Sequence, residues 1–130
     1  VILFSQIFLF AAGVRLLLRF ELPKLGRWLE PGAAPPSPDP KQIKKITDYV
    51  EAAIAMGSPL VRNSCLTRGV TRYYFFRRAG LDVQLHFGMG QVKRGYAGHC
   101  WLVKDGEPFL EKEDPRPRFN SIYRFSADPV

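Results

Sequence analysis

Apolar residues dominate the first fourteen positions, VILFSQIFLFAAGV, and resume after Arg15 as Leu16, Leu17 and Leu18. The run predicts a helix, yet it falls short of the ~20 residues that span a bilayer. Three settings suit it: a buried or partner-facing helix, a membrane anchor completed by residues upstream, or a surface amphipathic helix. Val1 stands where an initiator Met would, so a fragment of a longer protein is expected. In the anchored setting Arg15, Arg19, Lys24 and Arg27 would flank the membrane, which residues 1–20 would then contact. No small-residue cleavage site follows the run, which argues against a signal peptide.

The pattern then breaks. Residues 31–40, PGAAPPSPDP, hold five prolines and no bulky apolar group, so they neither propagate a helix nor pair as an interior strand. They read as a linker between an N-terminal apolar helical segment, 1–30, and a main domain, 41–130. That domain opens with Asp39 as N-cap and Pro40 at the first helical position. Ile43, Ile46, Thr47, Val50, Ala53 and Ile54 then recur at helical spacing until Gly57. After a Gly57-Ser58-Pro59 break, Asn63 or Ser64 can cap a second helix that Gly80 ends, with Leu66, Val70, Tyr73, Tyr74 and Phe76 facing the core. Arg68 and Arg72 lie one turn apart and, with Arg77 and Arg78, read as a solvated face.

Strand periodicity follows. Val83, Leu85 and Phe87 alternate with Asp82, Gln84 and His86, the signature of a half-buried strand. Gly88, Gly90 and Gly95, with Gln91, Lys93 and Arg94 among them, predict a flexible exposed connection. GHCWLV-KDG-EPFLE then reads as a hairpin with a three-residue turn and Gly106 in the left-handed position. In that register Val103 opposes Glu107, Cys100 opposes Leu110 and His99 opposes Glu111. A two-residue Asp105-Gly106 turn would instead oppose Cys100 and Glu111 and send Glu111 to the other face. Helices followed by a small antiparallel sheet make the expected class α+β.

Charge and cysteines narrow the chemistry. The 130 residues suit one domain, and the +7 net charge would favour an acidic partner, an anionic membrane or nucleic acid. The basic, aromatic RYYFFRR run is better explained as a helix with core aromatics, and no nucleic-acid motif accompanies it, so no nucleic-acid partner is expected. Two cysteines are too few for a disulfide scaffold, and Cys65, His86, His99 and Cys100 lack metal-ligand spacing, so neither metal nor cofactor is expected. The lone GMG lacks the strand-to-helix setting of a nucleotide loop.

Cys65 falls in the first turn of its helix, where unpaired N–H groups and the positive dipole end favour a thiolate. His99 and Glu111 supply an imidazole and a carboxylate in the order that a cysteine hydrolase uses. Asp105 is the rival third member. The Cys65 backbone N–H is the first candidate oxyanion donor, and Gln91 or Arg68 a second. His86 lies on the polar side of its strand without a placed carboxylate, and Cys100, opposite in face to His99, reads as a packing residue.

CLTRGVTRYYFFRRAGLDVQLHFGM and GHCWLVKDGEPFLE resemble motifs of the lasso peptide biosynthesis B2 proteins, leader peptidases of the transglutaminase-like cysteine protease superfamily. The similar motifs are a Cys-Leu-x-Arg-Ser-x-x-Leu helix, an Arg-Arg-x-Gly-Ile strand entry and an Ala-His-Ala-Trp-Val-Glu hairpin, spread here over about residues 41–113. By position Cys65 resembles the nucleophile, His99 the strand His, and Glu111 the acid, where Asp is usual. Gly69 stands for the family Ser, Gly98 and Cys100 for the alanines beside the His, and Val103 and Lys104 lie where an acid is common. The resemblance implies a papain/transglutaminase-like core, with the nucleophile at a helix N-terminus packed on the sheet. It also implies a cytoplasmic enzyme that removes the leader of a ribosomally made precursor peptide, together with a separate leader-recognition protein and a cyclase. The alternative reading is a non-proteolytic transferase using the same thiol, or an interaction module that works through its N-terminal helix.

Overall fold

The computed structural model describes residues 2–17, 19, 21–31, 36–58, 60–61 and 63–125; residues 32–35 of the expected linker and Pro59 of the expected break lie outside the described residues. Four helices, α1 (Ile2–Leu17), α2 (Leu22–Leu29), α3 (Pro40–Met56) and α4 (Cys65–Arg78), precede four strands, β1 (Gln84–Val92), β2 (Gly95–Lys104), β3 (Glu107–Phe109) and β4 (Asn120–Phe125). The strands form one antiparallel sheet in the order β3-β2-β1-β4, so the fold is α+β.

Local chemistry sets the helix ends as their sequences predict. The Asp39 carboxylate accepts the Lys41 N–H at 3.0 Å, Pro40 occupies the first turn and Gly57 caps the end of α3. Ser64 caps α4, its hydroxyl accepting the Thr67 N–H at 3.1 Å. At the other end Gly80 takes a φ of +92°, and Leu81 N–H reaches back to the Phe76 carbonyl at 2.9 Å, which closes a Schellman turn.

Helix α4 is the axis of the molecule, touching α1, α3, β1 and β2. It is buried on more than one face: Val70, Tyr73, Phe75 and Phe76 are in the core, and so are Thr67, Thr71, Arg72 and Arg77. The solvated arginine face expected from the sequence is therefore corrected at two of its members. Arg77 is buried because Glu30 beyond α2 reaches it at 2.8 Å, while the same carboxylate accepts the Tyr73 hydroxyl at 2.7 Å. Arg78 donates to the Leu29 carbonyl and lies over the Tyr74 ring. Burial and the Glu30 hydrogen bond push the Tyr73 hydroxyl pKa upward, so this phenol stays a donor.

Helix α1 packs on α3 and α4. Ile7, Ala11 and Val14 of α1 and Leu25 and Leu29 of α2 join Ile46, Val50, Val70 and Leu85 in one core. Phe10 stacks on Tyr74, and Phe4 meets Tyr49 edge-on. Ile2, Leu9 and Leu16 point outward. Among the described residues no helix is long and apolar enough to cross a membrane.

Two expectations about the sheet are overturned. The glycine-rich stretch is strand rather than flexible loop: β1 runs through Gly88 and Gly90 to Val92, and only Lys93 and Arg94 make the turn. The glycines provide room. A Cβ on Gly88 would lie 2.7 Å from the Trp101 ring, and one on Gly90 would lie 2.1 Å from the Arg118 carbonyl, where residues 110–119 fold back over the sheet. The second correction concerns the hairpin. Lys104 pairs with Glu107 and Val103 with Pro108, so the turn is the two-residue Asp105-Gly106, both at positive φ. That is the turn whose hand matches the twist of the strands.

Candidate active site

The two-residue turn should have carried Glu111 to the wrong face of the sheet. It does not, because the ladder stops at Phe109 and Leu110 adopts a φ of +62°, which breaks the alternation one residue before the acid. Glu111 then swings back, and its Oε1 lies 2.8 Å from His99 Nε2. Asp105, the rival, sits at the exposed turn, paired with Lys104 Nζ at 3.0 Å and away from His99.

The early end of β3 also opens the edge of β2. Pairing of Lys104 with Glu107 directs the backbone groups of Lys104, Leu102 and Cys100 toward the β3 side, since these alternate along a strand. Past Phe109 no strand meets Cys100, and Cys65 does. The Cys100 thiol donates to the Cys65 carbonyl at 3.0 Å, and the Cys100 thiol and N–H together with the His99 imidazole favour the thiolate form of Cys65.

These contacts pull the Cys65 thiol from 9.0 down to about 5: the Cys100 thiol contributes most, partial burial opposes, and the Cys100 N–H and His99 add to the fall. Its place at the first position of α4 adds the pull of unpaired N–H groups. The single Cys100 S–H proton cannot serve two acceptors. It donates to the Cys65 carbonyl oxygen, 3.0 Å away, and an ionised Cys65 sulfur would compete for it as the stronger acceptor. Cys100 itself is held protonated, pushed upward by that hydrogen bond and by burial.

Aromatic rings hold the imidazole. His99 stacks on Trp101, with centroids 5.8 Å apart and planes at 19°, and Phe119 lies 5.1 Å away. With Nε2 engaged by Glu111, Nδ1 is the nitrogen left for the thiol. Cys65 is half-buried and His99 and Glu111 are partly exposed, so the three groups are open to solvent.

Other sequence candidates lie elsewhere. Gln91 is exposed on β1, four residues beyond Phe87, the partner of Cys100. At ~3.4 Å per residue that is roughly 14 Å, so the structure does not bring Gln91 to Cys65. Arg68 is held by Glu51, its Nε contacting both carboxylate oxygens at 3.1 and 2.8 Å. The Cys65 N–H lies in the first turn of α4, among the amides that have no acceptor within the helix. His86 bonds Ser121 and Gln84, and burial and Arg124 disfavour its charged form.

Sequence reasoning missed Cys100 as a donor to Cys65, and Phe119 as a wall of the site. The adjacency of His99 and Cys100 was the only signal for the first; strict alternation separates their faces, and only an unpaired strand edge lets both reach one sulfur.

An α+β domain that opens a helix on a thiol and sets an imidazole–carboxylate pair on the facing sheet defines a class built around a cysteine. The family model described as the Transglutaminase-like superfamily matches residues 8–124, and the chain belongs to that superfamily. The match takes in α2 to α4 and β1 to β3 whole, α1 from Phe8 onward and β4 up to Arg124. No curated protein and no solved structure matches the chain.

Proposed function

We propose that this chain is a cysteine peptidase that removes the leader of a ribosomally made precursor peptide, as the resemblance to lasso peptide B2 proteins implies. The observation that carries the peptidase reading is a Cys65 thiol lowered to about 5 beside a His99 imidazole that Glu111 holds at 2.8 Å. The Cys65 thiolate attacks the scissile carbonyl, and the developing oxyanion takes the Cys65 N–H. His99 then delivers its proton to the leaving amine, so the C–N bond breaks and an acyl-thioester remains. Water, deprotonated by His99, attacks the thioester and restores the thiol. Glu111 keeps the imidazole oriented and offsets its charge. A precursor peptide, a separate leader-recognition protein and a cyclase are the partners in this reading.

The direct test is cleavage of a precursor peptide followed by mass spectrometry. Cys65→Ala should abolish release of the leader while circular dichroism and melting temperature stay near the parent values. Full cleavage by that variant sinks the reading. Transfer of the acyl group to an added amine in place of water would support the transferase alternative.

A further inference from the structure

Beside the His99–Glu111 pair lies a cavity of about 570 Å³, with Arg68 and Arg72 of α4 and Glu51 of α3 on one side and residues 110–119 on the other. Most charges around it are already committed. Glu111 is taken by His99, Asp114 by Arg116, and Glu51 by Arg68. Arg72 has only the shared Glu51, at 3.7 Å. Its side chain is 10% exposed, and its Nε is buried without a hydrogen-bond partner. Burial, with the neighbouring Arg68 charge, disfavours the guanidinium charge by more than Glu51 and Glu111 restore. Across the cavity, Arg118 and Lys112 have no carboxylate partner among the described residues, and Glu113 is the one acid of the lining that is likewise uncommitted.

A buried cation short of counter-charge, facing a cavity whose uncommitted cations Lys112 and Arg118 outnumber its uncommitted acid Glu113, is a receptor for a carboxylate. We propose that Arg72 and Arg118 form a subsite for an acidic side chain of the peptide substrate; this rests on the peptidase reading and names a substrate class for it. Arg72 lies on the same face of α4 as Cys65, seven residues along, or roughly 10 Å at 1.5 Å per residue. An extended peptide covers that distance in about three residues. The subsite therefore calls for Asp or Glu about three positions from the scissile bond.

The test uses binding, so that it does not depend on cleavage. The full chain carrying Cys65→Ala is titrated with rhodamine-labelled peptides of Ala and Ser in which one Glu, or one Gln, is walked through every position, read by fluorescence polarisation. At one register Glu should bind about tenfold tighter than Gln, the worth of a charge-assisted hydrogen bond. Arg72→Gln should erase that preference, Arg72→Lys should keep part of it, and Arg118→Glu, an exposed change safe for folding, should turn it toward Lys-bearing peptides. Equal affinity of Glu and Gln at every register, or no binding at all, overturns the proposal. So does a preference that survives both Arg72→Gln and Arg118→Glu, which would leave Arg72 as a neighbour of Glu111 only. Binding that meets these expectations without Cys65-dependent cleavage by the parent protein would keep the subsite and reject the peptidase.

Discussion

At Cys65 the largest influence on the thiol is another thiol. Cys100 acts more strongly than His99, and its own proton is held by the hydrogen bond with Cys65 and by burial. Two consequences can be measured. The rate of alkylation by iodoacetamide should fall with acid through a midpoint of about 5, and Cys100→Ala should move that midpoint upward while leaving the reaction confined to Cys65. A midpoint unchanged in Cys100→Ala would assign the shift to His99 and the helix instead. Stability follows the same titration. The folded pKa lies below the unfolded 9.0, so ionisation of Cys65 contributes in full above about 9 and is lost as pH falls toward about 5. The gap in stability between the parent and Cys65→Ala should close across that window.

Among the elements, those with local causes were legible in the sequence. Asp39 and Pro40 announce α3, Ser64 and Gly80 bracket α4, and each works through atoms within a few residues of itself. The hairpin was misread because turn length is decided by strand twist and by what the strands pair with. Asp105 accepts a positive φ, which makes the two-residue turn available, and Leu110 accepts one too, which no propensity foretells. The His99–Glu111 contact was thus anticipated from a register that does not exist. Long-range pairing hid the clamp at the end of α4 in the same way, since Glu30 lies 43 residues from Tyr73 and 47 from Arg77. That clamp can be weighed. Glu30→Ala leaves the buried Tyr73 hydroxyl without its acceptor and the Arg77 guanidinium with Asp82 alone, at 3.3 Å, a loss of about 2–4 kcal/mol. Thermal denaturation should show a fall on the order of 10 °C. Glu30→Gln, which keeps one acceptor, should fall less; equal and negligible losses in both would mean that water replaces the carboxylate.

For the whole molecule the decisive matter is whether α1 serves the fold or only a partner. Ile7 and Val14 are fully enclosed, Ala11 is buried, and Leu3, Phe4, Phe8 and Phe10 pack partly against α3 and α4. Burial of a large apolar side chain is worth ~1.5–3 kcal/mol, so the helix contributes on the order of 10 kcal/mol before its own ordering entropy is subtracted. Whole domains are stable by only ~5–15 kcal/mol. Removing residues 1–20 would also bare Tyr49, Tyr74 and Phe75, three of the rings that α1 covers. Helix α4, which carries Cys65, would lose one of its walls, and the geometry at the thiol depends on that helix holding its place against β2. The truncated protein should therefore lose its cooperative thermal transition, bind 8-anilinonaphthalene-1-sulfonate and alkylate Cys65 with no depressed midpoint. A truncated protein that melts sharply and keeps the midpoint near 5 would make α1 a separable docking element. Its outward residues Ile2, Leu9 and Leu16 would then be the place to look for what it docks to.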